Sequence, residues 1–150
     1  MISAAEYQRR LKSVNKLSVL QDLAYEVIIK EESTLKDLKE QDFLTGDIYG
    51  DDSLHSYRSK NYELFKAYHN PLAGGAVDLI LTGKFVNAMF LKKLQQNRYT
   101  FGNNDSKSAE LSGKYGKEIF GLNKIVFDKF QREILAPRYI RMIKETAKIE

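Results

Sequence analysis

Apolar residues in the first thirty positions recur every three or four: Tyr7, Leu11, Val14, Leu17, Leu20, Ala24, Val27 and Ile28. This is the spacing of one helix face. It predicts a long helix to about Lys30, roughly 40 Å at 1.5 Å per residue. Such a face can serve a core alone, or a core at one end and a neighbouring subunit at the other. Ser3-Ala4-Ala5-Glu6 starts it as a capping box, the Ser3 hydroxyl accepting from the Glu6 N–H while Glu6 reaches back. Glu31 to Gln41 is charged, with Leu35 and Leu38 as its main apolar marks, and reads as a helical extension or a second short helix. Thr45 to Ser53 is a loop by its glycines and aspartates. Leu54 to His69 carries Tyr57, Tyr62, Leu64, Phe65 and Tyr68 at helical spacing, although Tyr62 to Lys66 also suits a strand.

The stretch from Asn70 to Phe85 breaks the helical pattern. Pro71 fixes its own φ and pushes Asn70 out of the helical region. Gly74-Gly75 permit positive φ or a close backbone approach. Val77 to Leu81 suits a buried strand, interrupted by Asp78, whose carboxylate must stay solvated or find a donor. The Thr82 hydroxyl and the N–H groups around Gly83 are the donors expected from local sequence. Gly74, Gly75, Asp78, Thr82 and Gly83 together read as a structural pivot that turns the chain from its helical first half into a hairpin.

Phe85 to Leu94 fits either helix or strand, whereas Arg98-Tyr99-Thr100-Phe101-Gly102 alternates like a strand. With Gln95-Gln96-Asn97 as a polar turn, the two make a hairpin over 85–102 that gathers Lys92, Lys93 and Arg98 near its tip. Ser108 to Tyr115 is a short helix stopped by Gly116, and Ile119 to Leu122 is an apolar plug. Asn123 is placed to cap the last helix, in which Pro137 should force a kink or a split. The expectation is an α+β fold: a long N-terminal helix, a small antiparallel sheet with a hairpin, and a C-terminal helix. A single domain over 1–150 is expected, its parts at 1–43, 44–69, 70–102 and 103–150.

Composition narrows the chemistry. The 150 residues include no cysteine, which excludes disulfides, thiolate metal sites and cysteine nucleophiles. No apolar run approaches the roughly 18 residues that span a bilayer, and the N-terminus lacks a signal-peptide pattern; a soluble, cytosolic product without membrane contact is expected. The net charge of +4 is unevenly spread. Residues 1–83 hold 10 Lys/Arg against 13 Asp/Glu, residues 84–117 hold 7 against 2, and residues 118–150 hold 7 against 5. A basic middle beside an acidic first half suits docking to nucleic acid or to an acidic neighbour, or simply keeps a sheet edge soluble. Tyr57, Arg58, Lys60, Tyr62, Lys66 and Tyr68 form an aromatic and basic stretch that can stack bases, or line a core edge or interface.

No catalytic constellation appears. Gly74-Gly75 is not followed by Lys-Ser/Thr, and no HExxH, nucleophile elbow or paired-histidine spacing occurs. His55 and His69 lack partner patterns. Asp47, Asp51 and Asp52 miss the calcium-loop spacing and read as solvated turn residues. The expectation is a non-enzymatic chain without cofactor or metal.

Two segments carry a family resemblance: Thr82-Gly83-Lys84-Phe85, leading into the hairpin, and Tyr115-Gly116-Lys117-Glu118-Ile119-Phe120-Gly121-Leu122, ahead of the last helix. Over roughly residues 70–145 the chain resembles the small neck and tail-completion (virion morphogenesis) proteins of tailed bacteriophages, especially those of gut Bacteroidetes. It departs from the family's TGxLxxS pattern, with Phe85 at the hydrophobic place and Ala88 where serine is usual. The resemblance implies a structural virion protein that forms a homo-oligomeric ring at the head–tail junction. Its partners would be portal, connector and tail proteins, its lumen would pass DNA, and it would reside in the host cytoplasm during assembly. It implies that Lys92, Lys93 and Arg98 face DNA or an acidic neighbouring ring. A nucleic-acid-binding module using the same hairpin is the alternative.

Overall fold

A computed structural model describes residues 2–48, 55–80, 83–95 and 98–149. The described residues are mostly helical with one two-stranded antiparallel sheet, an α+β fold. Its helices are α1 (Ala4–Val14), α2 (Leu17–Lys30), α3 (Glu32–Leu44), α4 (Lys60–His69), α5 (Lys84–Asn87), α6 (Ser108–Tyr115), α7 (Lys124–Phe130) and α8 (Ala136–Ala147). The strands are β1 (Met89–Lys93) and β2 (Tyr99–Asn103). Two compact units result, one of residues 1–31 and 128–150, the other of residues 32–127.

In the first unit α1 and α2 both pack on α8. Val14, Ala147 and Ile149 form a buried cluster with Leu11, Val19 and Ile143 against it, and Leu23, Val27 and Phe130 are also buried. The single long N-terminal helix expected from the apolar spacing is divided. Asn15 leaves helical geometry with its N–H on the Leu11 carbonyl, and α2 begins after Lys16 in extended backbone. Ser3 Oγ accepts from Glu6 N–H at 3.2 Å as expected. The Glu6 carboxylate is taken by Arg9 and Arg10, at 2.8 and 2.7 Å, and these hydrogen bonds, that of Arg9 foremost, lower its pKa. Arg138 pairs with the buried Glu31, and the Tyr139 hydroxyl donates to the Leu20 carbonyl at 3.0 Å. Pro137 is accommodated by a widened π turn, Gln131–Leu135, just before α8, so that it lies in the first turn of α8. There its missing N–H costs no bond of the helix. Past Ala147, Lys148 takes left-handed backbone (φ 53°) and Ile149 N–H returns to the Lys144 carbonyl at 3.0 Å, closing the helix as a Schellman motif.

The second unit buries Leu35, Phe43, Ile48, Val77, Phe85, Val86, Met89, Phe101 and Ile119. Antiparallel pairing runs from Met89 opposite Asn103 to Lys93 opposite Tyr99. The outward N–H of Leu91 is taken by the Glu32 carboxylate at 2.8 Å, which ties the hairpin to the start of α3. Residues 77–80 are not the expected strand. Asp78 Oδ1 accepts from Ile80 N–H two residues on at 3.2 Å, Leu79 takes φ 56°, and only Ala76 bridges, to Ser56. A side-chain turn thus replaces ladder pairing. Gly74 (φ 57°), Gly75 (φ 91°) and Gly83 (φ 68°) do take positive φ, and Gly83 opens α5. Leu81 and Thr82 lie outside the described residues, so the expected part of Thr82 in the pivot does too.

Candidate functional site

The pivot is held by a buried polar network centred on Asp78, which is 0% exposed. Its side-chain donors come from distant positions. Lys66 Nζ stands 2.5 Å from Oδ1, Asn70 Nδ2 donates to Oδ2 at 2.9 Å, and the Tyr57 hydroxyl donates to Oδ1 at 3.3 Å. Asn70 Nδ2 also reaches the Leu44 carbonyl at 2.9 Å. These side chains add to the local Ile80 N–H, which donates to Oδ1 at 3.2 Å; the Thr82 hydroxyl expected as a donor lies outside the described residues. Burial raises the Tyr57 pKa well above its usual 10, with the Asp78 charge adding to the rise. Lys66 and Tyr57 are therefore spent on Asp78, and the expected base-stacking stretch loses both.

The same network orients α4. Ser59 Oγ caps it, accepting from Tyr62 N–H at 3.3 Å. At 3.6 residues per turn, Glu63, Lys66, Ala67 and Asn70 share one side, and this is the side turned inward, Lys66 and Asn70 being buried. The opposite arc holds Asn61, Tyr62, Leu64, Phe65, Tyr68 and His69, all exposed. Leu64 is 60% and Tyr68 84% exposed. The rings form a continuous series: Tyr57–Tyr62 at 4.9 Å between centroids, Tyr62–Phe65 at 5.9 Å, Phe65–His69 at 4.1 Å and Tyr68–His69 at 5.4 Å. His69 Nδ1 donates to the Phe65 carbonyl at 2.9 Å, since a carbonyl only accepts. The helix is amphipathic with its apolar side to solvent. Leu64, Phe65 and Tyr68 were visible in the sequence as helix positions, but the default of apolar side inward hides their exposure.

The cationic hairpin is split by its pleat. Side chains alternate between faces, and the register sets Phe90 opposite Gly102, Lys92 opposite Thr100, and Leu94 beyond them near Arg98. Lys92 and Arg98 therefore share the outer face with Phe90 and Leu94. Lys93 lies with Met89, Leu91, Tyr99 and Phe101 on the face whose Met89 and Phe101 are buried. The three cations expected at one tip are two on one face and one on the other. The Phe90 ring lies over Gly102, where an added Cβ would meet it at 2.5 Å. Gln96 and Asn97 lie outside the described residues.

A second buried cluster joins α3 to the start of α7. Lys39, 0% exposed, donates to the Ile48 carbonyl at 3.3 Å, stands 3.9 Å from Asp42 Oδ2, and lies over the Phe43 ring at 4.7 Å. Burial lowers its pKa to about 8, against the pull of Asp42 and Asp47. Asp42 Oδ2 accepts from Asn123 N–H at 3.1 Å and Asp47 Oδ2 from Asn123 Nδ2 at 2.7 Å. Asn123 Oδ1 in turn caps α7, accepting from Ile125 and Val126 N–H at 2.8 and 3.3 Å. Asp47 is therefore a buried strut and not the solvated turn residue the sequence suggested; Asp51 and Asp52 lie outside the described residues. Among the described residues no group of three His, Cys, Asp or Glu is placed to hold a metal ion, and no helix is long and apolar enough to cross a membrane. Neither a family model, nor a curated protein, nor a solved structure matches this chain.

Proposed function

We propose that this chain is a structural subunit of a tailed-phage virion, one that forms a ring at the head–tail junction as a neck or tail-completion protein. The observation that carries the reading is the outward apolar arc of α4, because a soluble chain that turns its rings to solvent and its lysine inward is built to be covered. Its buried charges are engaged in holding segments together, at Asp78 and at Asn123. The resemblance of the Thr82–Phe85 and Tyr115–Leu122 segments supports the phage assignment, and Ile119 within the second is fully buried. In this reading the partners are further copies of the chain and the portal, connector and tail proteins of the same particle. Lys92 and Arg98 meet DNA or an acidic neighbour, and no cofactor takes part. Quantitative mass spectrometry of purified virions tests it: several copies per particle are expected, and absence from particles overturns it.

The alternative, a free nucleic-acid-binding module, draws on the outer hairpin face, where Lys92 and Arg98 flank the partly exposed Phe90 and Leu94. Two phosphate contacts give a slope of log K against log salt of about −2. Retention on DNA at low salt with that slope, lost in Lys92→Ala/Arg98→Ala, would favour the module; no retention would end it.

A further inference from the structure

The arc of α4 from Leu64 through Tyr68, Phe65 and His69 to Tyr62 contains no Lys, Arg, Asp or Glu. The charges at its border, the exposed Lys60 and the half-buried Glu63, are joined to each other at 2.7 Å. Whatever covers the arc therefore needs no charge of either sign. Its size is informative as well. A whole aromatic side chain carries roughly 150–250 Å², so Tyr62 (42% exposed), Phe65 (41%), Tyr68 and Leu64 leave on the order of 400 Å² of mainly apolar surface outward. A standard interface covers about 800 Å² per partner, a little over half of it apolar. One α4 arc thus supplies about the apolar area that one side of a stable dimer requires. Leu64 and Tyr68, one turn apart, form the kind of ridge that packs into the matching groove of a like helix.

We infer that the α4 arc is a homotypic docking face, and that its occupant is the α4 arc of a second copy of this chain. The inference rests on the reading of the chain as an assembly subunit and names the surface used. Because the same patch serves both partners, the contact is isologous and closes at two copies; ring growth then uses a different surface. The drive is removal of apolar area from water, so the association strengthens with ammonium sulfate, opposite in sign to phosphate binding.

Sedimentation equilibrium of the full chain over a range of concentrations tests this. Wild type is expected to dimerise reversibly, more tightly in ammonium sulfate. Leu64→Gln/Tyr68→Gln is expected to weaken the dimer roughly 100-fold with unchanged circular dichroism. If that pair loses helical signal, Tyr68→Glu alone serves, because its ring is almost wholly outside the fold; a roughly 10-fold or greater weakening is expected. A wild-type chain that stays monomeric to about 1 mM overturns the inference, as does a double variant that dimerises like wild type. Retention of a single-stranded oligonucleotide by a monomeric wild type, lost in the variants, also overturns it and gives the arc to bases. A dimer that depends on Leu64 and Tyr68, in a chain absent from virions, keeps this inference and removes the head–tail reading. Several copies per virion with a dimer insensitive to these substitutions does the reverse.

Discussion

Asp78 shows how one buried carboxylate sets the orientation of a helix. Lys66 and Asn70 reach it from the same side of α4, so the helix cannot rotate its leucine and rings inward without stranding those donors. Asp78→Ala leaves the Lys66 ammonium buried and unpaired, and is expected to cost about 3–5 kcal/mol in urea unfolding. Lys66→Met combined with Asp78→Asn should recover most of that loss. At the other extreme of exposure, Lys148 holds left-handed backbone that a side chain disfavours. Lys148→Gly is expected to stabilise by about 1 kcal/mol, raising Tm by roughly 2–4 °C. The Arg10 hydrogen bond to the backbone carbonyl at 148 does not depend on that side chain.

Among the elements, α7 depends most on distant partners. Asn123 caps it while its backbone and amide are held by Asp42 and Asp47. Asn123→Ala is expected to cost about 2 kcal/mol or more, since it removes a cap and leaves a buried carboxylate short of a donor. Asn123→Asp preserves the cap but sets a third carboxylate among two, and should be worse; chemical denaturation of the two variants ranks them. Local chemistry made much of this legible in the sequence. The caps at Ser3 and Asn123, the helix at Ser108–Tyr115 and the positive φ of the pivot glycines arise from short-range patterns, as does the hairpin, although Phe85–Asn87 are helical and its first strand begins only at Met89. Over its described residues, 77–80, the strand expected for Val77–Leu81 failed because a side-chain turn at Asp78 outcompetes ladder pairing, which no local hydrophobic count registers. The side-chain partners of Asp78 and Asp47 come from 8 to 76 residues away, a distance at which the sequence alone does not pair charges. The outward arc of α4 was hidden for the same reason, since it depends on which side Lys66 must face.

For the molecule as a whole, the buried Lys39 and the half-buried Tyr57 shape stability against pH with opposite signs. Lys39 has a folded pKa of about 8 against an ordinary 10.5, so between those values the unfolded chain binds the extra proton and stability rises with pH. Below about 8 the buried ammonium is charged and the full penalty applies, on the order of 3 kcal/mol. Tyr57 is shifted upward from 10, so above pH 10 the unfolded chain loses its proton first and stability falls. Urea midpoints from pH 7 to 11 should therefore climb past pH 8 and turn down above 10. Lys39→Met should remove the climb, and Tyr57→Phe the downturn.

The clasp between Glu32 and the outward N–H of Leu91 has a consequence for the fate of the chain in crowded solution. A two-stranded hairpin is marginal by itself, and an open strand edge is a template for pairing with other chains. The Glu32 side chain fills one of the places on β1 where an intruding strand would bond. Glu32→Ala leaves that N–H free, and is expected to shorten the lag before thioflavin-positive aggregates appear while changing the unfolding free energy by about 1–2 kcal/mol or less. A single carboxylate on a helix thus acts as a gatekeeper for a sheet, guarding solubility on the time scale of storage and assembly.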